Sequence, residues 1–201
     1  AGAAIGSNIV AKRLYSTVNV QETTPSLWLT ASEMAFCKAE GVLRGWNMGG
    51  GTAKEYYERG VTLSFNQWGA DGVVNYLLDD TSTEANYADA LGGFGGAAAK
   101  VSTITIKWDD NAPMDEKMER LITQKWIALF PNGQEAWNEI RRTGYPRIFS
   151  VPQATNGYTL LTPNRIPFDK NQQINNRSNY DKAVELLGGP DDYATPMWWQ
   201  T

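Results

Sequence analysis

The sequence contains no histidine at all, and only one cysteine, Cys37. The first absence removes most side-chain catalysis that turns on imidazole. No Ser-His-Asp triad, Cys-His pair or histidine-ligated zinc site can be assembled from these residues. The second excludes an internal disulfide. Cys37 sits inside an apolar helical pattern and reads as a small buried hydrophobe. Long hydrophobic runs are also missing, since no stretch approaches the ~18 consecutive apolar residues of a membrane span. The opening Ala1-Gly2-Ala3-Ala4-Ile5-Gly6 lacks a charged region followed by an apolar run, so it does not read as a signal peptide. Strong charge of one sign is absent too. The net charge of -4 offers nucleic-acid phosphates no attractive field.

What remains is an ordinary globular composition over 201 residues, 42% hydrophobic and 20% charged, sufficient for one domain with a sizeable core. Aromatics are plentiful, with 8 Trp and 9 Tyr. Exposed aromatic rings offer flat apolar platforms for sugars or partner proteins.

Residues 1–25 show little periodicity and read as an irregular lead-in. Thr30-Ala31-Ser32-Glu33 then spells a capping box, followed by Phe36, Ala39, Val42 and Leu43 at helical spacing, with Gly45 as a stop. Thr52-Ala53-Lys54-Glu55 is a second box, and Tyr57, Val61, Phe65 and Trp68 trace one face. The spacing predicts antiparallel helices over 30–44 and 52–68, joined by Trp46-Asn47-Met48-Gly49-Gly50-Gly51. A helical pair of this size resembles a tetratricopeptide unit. A lone pair cannot bury both faces, so its stacking partners are expected elsewhere, a missing N-terminal part being one place.

Residues 69–112 read as a loop-rich insertion, with Val101–Trp108 either a short strand or an extended segment. A third helix follows Pro113, striped with Met118, Leu121, Ile122, Trp126 and Leu129 and ended by Pro131. Asn132 opens a fourth, carrying Ala136, Trp137 and Ile140 and closed by Gly144. Residues 145–178 read as a long surface connection, and a last helix fits 179–187. The Met197-Trp198-Trp199 tail is expected to dock on the body.

Three motifs invite function. Gly93-Phe94-Gly95-Gly96-Ala97-Ala98 matches a loose dinucleotide fingerprint, but no strand precedes it, so a loop is the better reading. Asp109-Asp110-Asn111 offers oxygens for calcium, but Pro113 breaks the EF-hand spacing. Adjacent acids such as Asp79/Asp80 and Asp191/Asp192 do not set the separation that glycoside cleavage needs. In Arg141-Arg142-Thr143-Gly144-Tyr145-Pro146, two arginines at a helix end complement the helix dipole. They read first as a lock on the turn and second as an anion or sugar contact.

From Ile122 to Pro146, and through Arg165-Ile166-Pro167-Phe168, Asn175-Asn176, Asn179-Tyr180, Gly188-Gly189 and Trp198-Trp199, the sequence resembles the C-terminal part of SusD/RagB-like proteins. The resemblance spans most of residues 26–201. It implies a mainly α fold of tetratricopeptide-like pairs, a SusD-like α/α superhelix, with a loop-rich C-terminal part. On this reading residues 1–201 form one partial domain: a helical hairpin over 26–70, an insertion over 69–112, and C-terminal helices and loops over 113–201. The intact protein would be roughly twice as long, with a lipid-bearing N-terminal cysteine ahead of this chain. It would be a non-enzymatic lipoprotein on the outer face of a Bacteroidetes-type outer membrane. It would capture glycans or other nutrients and serve as a lid over a SusC-like TonB-dependent transporter. The alternative is a helical-repeat scaffold for protein–protein contacts; a carbohydrate-active enzyme ranks third. Stacking on a sugar's apolar face is the expected binding mode. Trp46 and Asn47 in the interhelical loop, with Tyr87 and Phe94 in the insertion, are the candidate ligand residues. No cofactor is implied beyond a structural calcium, for which Asp110 is the candidate ligand.

Overall fold

A computed structural model describes residues 21–88, 97–149 and 163–200. The lead-in over 1–20, Phe94 with the rest of the glycine-rich loop from 89 to 96, and residues 150–162 of the long connection lie outside the described residues.

Helix α1 spans Ala31–Leu43 and α2 spans Ala53–Trp68. The Thr30 hydroxyl accepts from the Glu33 N–H, and at Thr52 both arms of the capping box are made. Each helix ends where the sequence stops it, with Gly45 and Gly69 at positive φ. A short α3 (Val73–Leu78) follows, then the two-residue strands β1 (Tyr87–Ala88) and β2 (Ala97–Ala98), paired antiparallel with Tyr87 opposite Ala98. Helix α4 spans Met114–Ala128 and α5 spans Gly133–Thr143. Two more, α6 (Lys170–Asn175) and α7 (Arg177–Leu187), lie in the C-terminal part.

The core lies between α1, α2 and α4. Phe36, Ala39, Tyr57, Val61, Leu121 and Ala128 bury there with Trp108 from the insertion. Helix α4 therefore supplies, within this chain, one stacking partner that the hairpin requires. Rings run through the core: Phe36 meets Tyr57 edge-on at 6.2 Å, and Tyr57 meets Trp108 at 5.1 Å. The Tyr57 hydroxyl donates to the Ile106 carbonyl at 2.5 Å, pinning the insertion to the helices. Burial raises that phenol's pKa far above its ordinary value, so it remains a donor.

An ionic lattice with buried carboxylates joins α1, α4 and α5. Lys125 on α4 contacts Glu139 on α5 at 2.7 Å, and Arg142 reaches both Glu40 oxygens on α1, at 2.6 and 2.7 Å, and also Glu139. The first-rank reading of the Arg141-Arg142 string, a lock, is what this geometry builds. Arg141 lies over Trp137 at 3.8 Å and Trp199 at 4.8 Å, and donates to the Asn164 carbonyl. The C-terminal part is held by Arg165 and Asp191, both buried and 2.6 Å apart.

Three expectations need correcting, and one alternative is decided. Cys37 is partly exposed, because it sits one step off the stripe that buries Phe36 and Ala39. Of the two readings of Val101–Trp108, the strand is not formed: the segment joins no ladder and bends at 106–107. Its backbone is held by Glu84, which accepts from the Val101 and Ser102 N–H groups, and by the Asp79 carbonyl, which accepts from the Lys107 N–H. The long connection contains α6, a six-residue helix capped by Asp169 that no apolar periodicity announces. Of the paired tail tryptophans, Trp199 docks on Arg141 while Trp198 remains 89% exposed.

Candidate functional site

A groove of about 290 Å³ opens between α4 and the insertion. Trp126 and Ile127 of α4, Ile104 and Ile106 of the insertion, and Pro146 and Ile148 beyond α5 form its apolar wall. Ile127 lies one turn beyond both Thr123 and Gln124, at i+4 and i+3, which brings the three to one side of α4. The Tyr76 hydroxyl donates to Gln124 Oε1 at 2.9 Å, linking α3 to this wall. Burial raises the Tyr76 pKa above its ordinary value, so the hydroxyl remains a donor.

Polar groups around the groove are mostly committed to its frame. Glu84 holds the two backbone N–H groups above, and the Ser102 hydroxyl donates to Glu119 at 2.7 Å. Thr123 donates to the carbonyl of Glu119, one turn back. Few polar side chains against a broad apolar wall suit a ligand with an apolar face and few anchoring hydrogen bonds. Trp126 also lines a second apolar recess with Leu129, Phe130 and Pro131, and Phe130 meets Trp68 at 5.7 Å.

The structure scatters the candidate residues. Tyr87 lies three residues past the lining Glu84 and stacks on Phe149, next to the lining Ile148, at 4.9 Å and 16°. It therefore flanks the groove. Trp46 is 61% exposed with its backbone N–H bonded to the Gly41 carbonyl, and Asn47 accepts from the Gly49 N–H. Neither lines the groove. Gly49, Gly50 and Gly51, which follow in the same loop, have φ of 83°, 90° and 93°, and the Tyr56 hydroxyl donates to the Met48 and Gly50 carbonyls, which shapes that loop. Asp110 is exposed, and its Oδ1 accepts from the Trp108 indole N–H at 2.8 Å. Among the described residues no group of three or more His, Cys, Asp or Glu side chains is placed to hold a metal ion.

The sequence reading passed over Gln124, Arg147 and the Ile104–Ile148 wall. Trp126 was visible only as part of a helical stripe. Nothing local marks Ile104 and Ile148, since they meet across more than forty residues of chain.

Fold and site together define a class: a scaffold of packed helical pairs that presents a loop-walled, aromatic groove. No helix among the described residues is long and apolar enough to cross a membrane. The SusD-like family model, described as SusD and RagB outer membrane lipoprotein, matches residues 1–200. The chain belongs to this family, whose members are non-catalytic binding proteins of the outer membrane. A SusD homologue from Bacteroides uniformis ATCC 8492 is 43% identical with a TM-score of 0.85, over 93% of this chain and 39% of its own. A SusD-like protein from Bacteroides thetaiotaomicron VPI-5482 is 44% identical with a TM-score of 0.80, over 89% of this chain and 38% of its own. A chitin-binding SusD homologue from Flavobacterium johnsoniae is 42% identical with a TM-score of 0.77, over 87% of this chain and 36% of its own. The chain thus spans about two fifths of the length of these relatives. No curated protein matches it significantly.

Proposed function

We propose that the protein to which this chain belongs captures glycans at the outer face of the outer membrane and passes them to a SusC-like TonB-dependent transporter. The observation that carries this reading is the groove at Trp126. A sugar ring has an apolar C–H face and a rim of hydroxyls. An indole beside aliphatic side chains stacks on the first, and Gln124 and Arg147 hydrogen-bond to the second. Tyr87, on its stack with Phe149, extends the aromatic surface beside the groove. Trp46, 61% exposed, offers a further platform on the interhelical loop. The chitin-binding relative supports a glycan as the ligand class. Asp110 keeps Oδ2 free of the indole contact and is the oxygen we assign to a structural calcium, if the intact protein takes one.

Isothermal titration with soluble oligosaccharides tests the proposal. Trp126→Ala is expected to weaken binding by about tenfold or more, equal to roughly 1.4 kcal/mol. Unchanged affinity in that variant would overturn the groove as the site. The scaffold reading draws on exposed apolar residues such as Trp28 at 86% and Trp198 at 89%. Transporter capture without any glycan binding would favour it.

A further inference from the structure

Beside the groove, on the other side of residues 104 and 105, lies a second cavity of about 500 Å³ with a polar lining. Arg147 lines both. The cavity's other walls include Thr103, Thr105, Asp115, Glu116, Glu119 and Arg120. Arg120 is the unusual member. It is 5% exposed, yet no carboxylate lies within ion-pair distance of it among the described residues. Its Nε donates to the Thr105 carbonyl at 3.0 Å, while its Nη1 is buried without a hydrogen-bond partner.

A buried charge normally has a counter-charge, because removal from water costs several kcal/mol that only a partner offsets. The neighbouring acids do not serve. Glu119 is already engaged by the Ser102 hydroxyl at 2.7 Å and by Arg147 at 3.4 Å, a locally neutral set. Asp115 and Glu116 are exposed on the first turn of α4, where water and salt screen them. The buried positive charge that is left faces a cavity continuous in its lining with the aromatic groove.

We propose that this cavity is a subsite for an oxyanion substituent, a carboxylate or sulfate, carried by the glycan whose ring occupies the groove. Arg120 supplies the buried counter-charge and Arg147 a second, adjustable guanidinium. A planar fork of N–H donors suits both groups. The inference rests on the glycan reading of the groove and narrows it to acidic oligosaccharides.

The test is an oligosaccharide array in which every uronic-acid or sulfated member is paired with its neutral counterpart, probed with the whole chain. Hits are then titrated at low and high sodium chloride. The expected result is binding to acidic members at least tenfold tighter than to their neutral partners, falling as salt rises. Arg120→Gln removes that preference, lowering the affinity for acidic members at least tenfold more than for their neutral partners. Arg147→Gln, at a half-exposed position, reduces it. Carboxylate-only or sulfate-only recognition identifies the source of the oxyanion. Equal affinity for each acidic and neutral pair overturns the subsite and leaves the groove reading intact. Failure to bind any member overturns both.

Discussion

Glu40 shows how one residue holds distant segments together. Burial pushes its carboxyl up, but the hydrogen bonds and charge of Arg142, followed by Arg44, outweigh this and hold it below its ordinary value of 4.5. Because the folded value lies below the unfolded one, the unfolded chain binds the extra proton as pH falls. Glu40 therefore stabilises the fold above about pH 4.5, and that contribution is lost as pH drops through the folded value. Glu40→Gln is expected to cost about 1.5–3 kcal/mol at pH 7, the range for hydrogen bonds to charged groups. Thermal melts of variant and wild type should converge as pH falls below about 4.5. A gap independent of pH would show that the charge is not what matters. The sequence announced Arg142 through its place at a helix end, but nothing marked Glu40, 102 residues away, as its partner.

At the scale of elements, the hairpin α1–α2 depends on close approach. The Ser32 hydroxyl donates to the Gly60 carbonyl at 2.7 Å, and a Cβ at Gly60 would fall 2.7–2.9 Å from the Phe36 ring. Alanine favours a helix by roughly 1 kcal/mol over glycine. Overpacking a full core costs about 1–3 kcal/mol. Gly60→Ala should therefore lower the melting temperature despite its better propensity, and a raised value would show that the ring moves freely aside. The helices over 30–44 and 52–68 were legible because capping boxes and apolar spacing are local signals. The short α3 and α6 were not, since six residues carry too little periodicity to register.

For the whole molecule, Leu121 and Ile122 are fully buried on α4, the element that contacts both hairpin helices and α5. Leu121→Ala is expected to cost about 2–5 kcal/mol. At about 2–4 °C per kcal/mol for a chain of this size, the melting temperature should fall markedly. Helical circular dichroism and tryptophan fluorescence should shift together, because Trp108 from the insertion packs on the same core. Two separated transitions would mean that the insertion folds as its own unit. The groove and its polar neighbour also exist only at this scale, where α4, residues 102–106 and residues 146–148 converge.

The amino-acid order alone determined the principal helices, their caps and stops, and the absence of histidine-based chemistry. It also carried the likeness to the SusD/RagB-like proteins, because these are properties of neighbouring residues or of short strings. Only the tertiary structure decided that α4 covers the hairpin, that Trp198 remains in solvent, and that Arg120 is buried beside a cavity without a counter-charge. Burial and charge pairing depend on which remote segments meet. That is set by packing summed over the whole chain and leaves no mark in any single stretch of it.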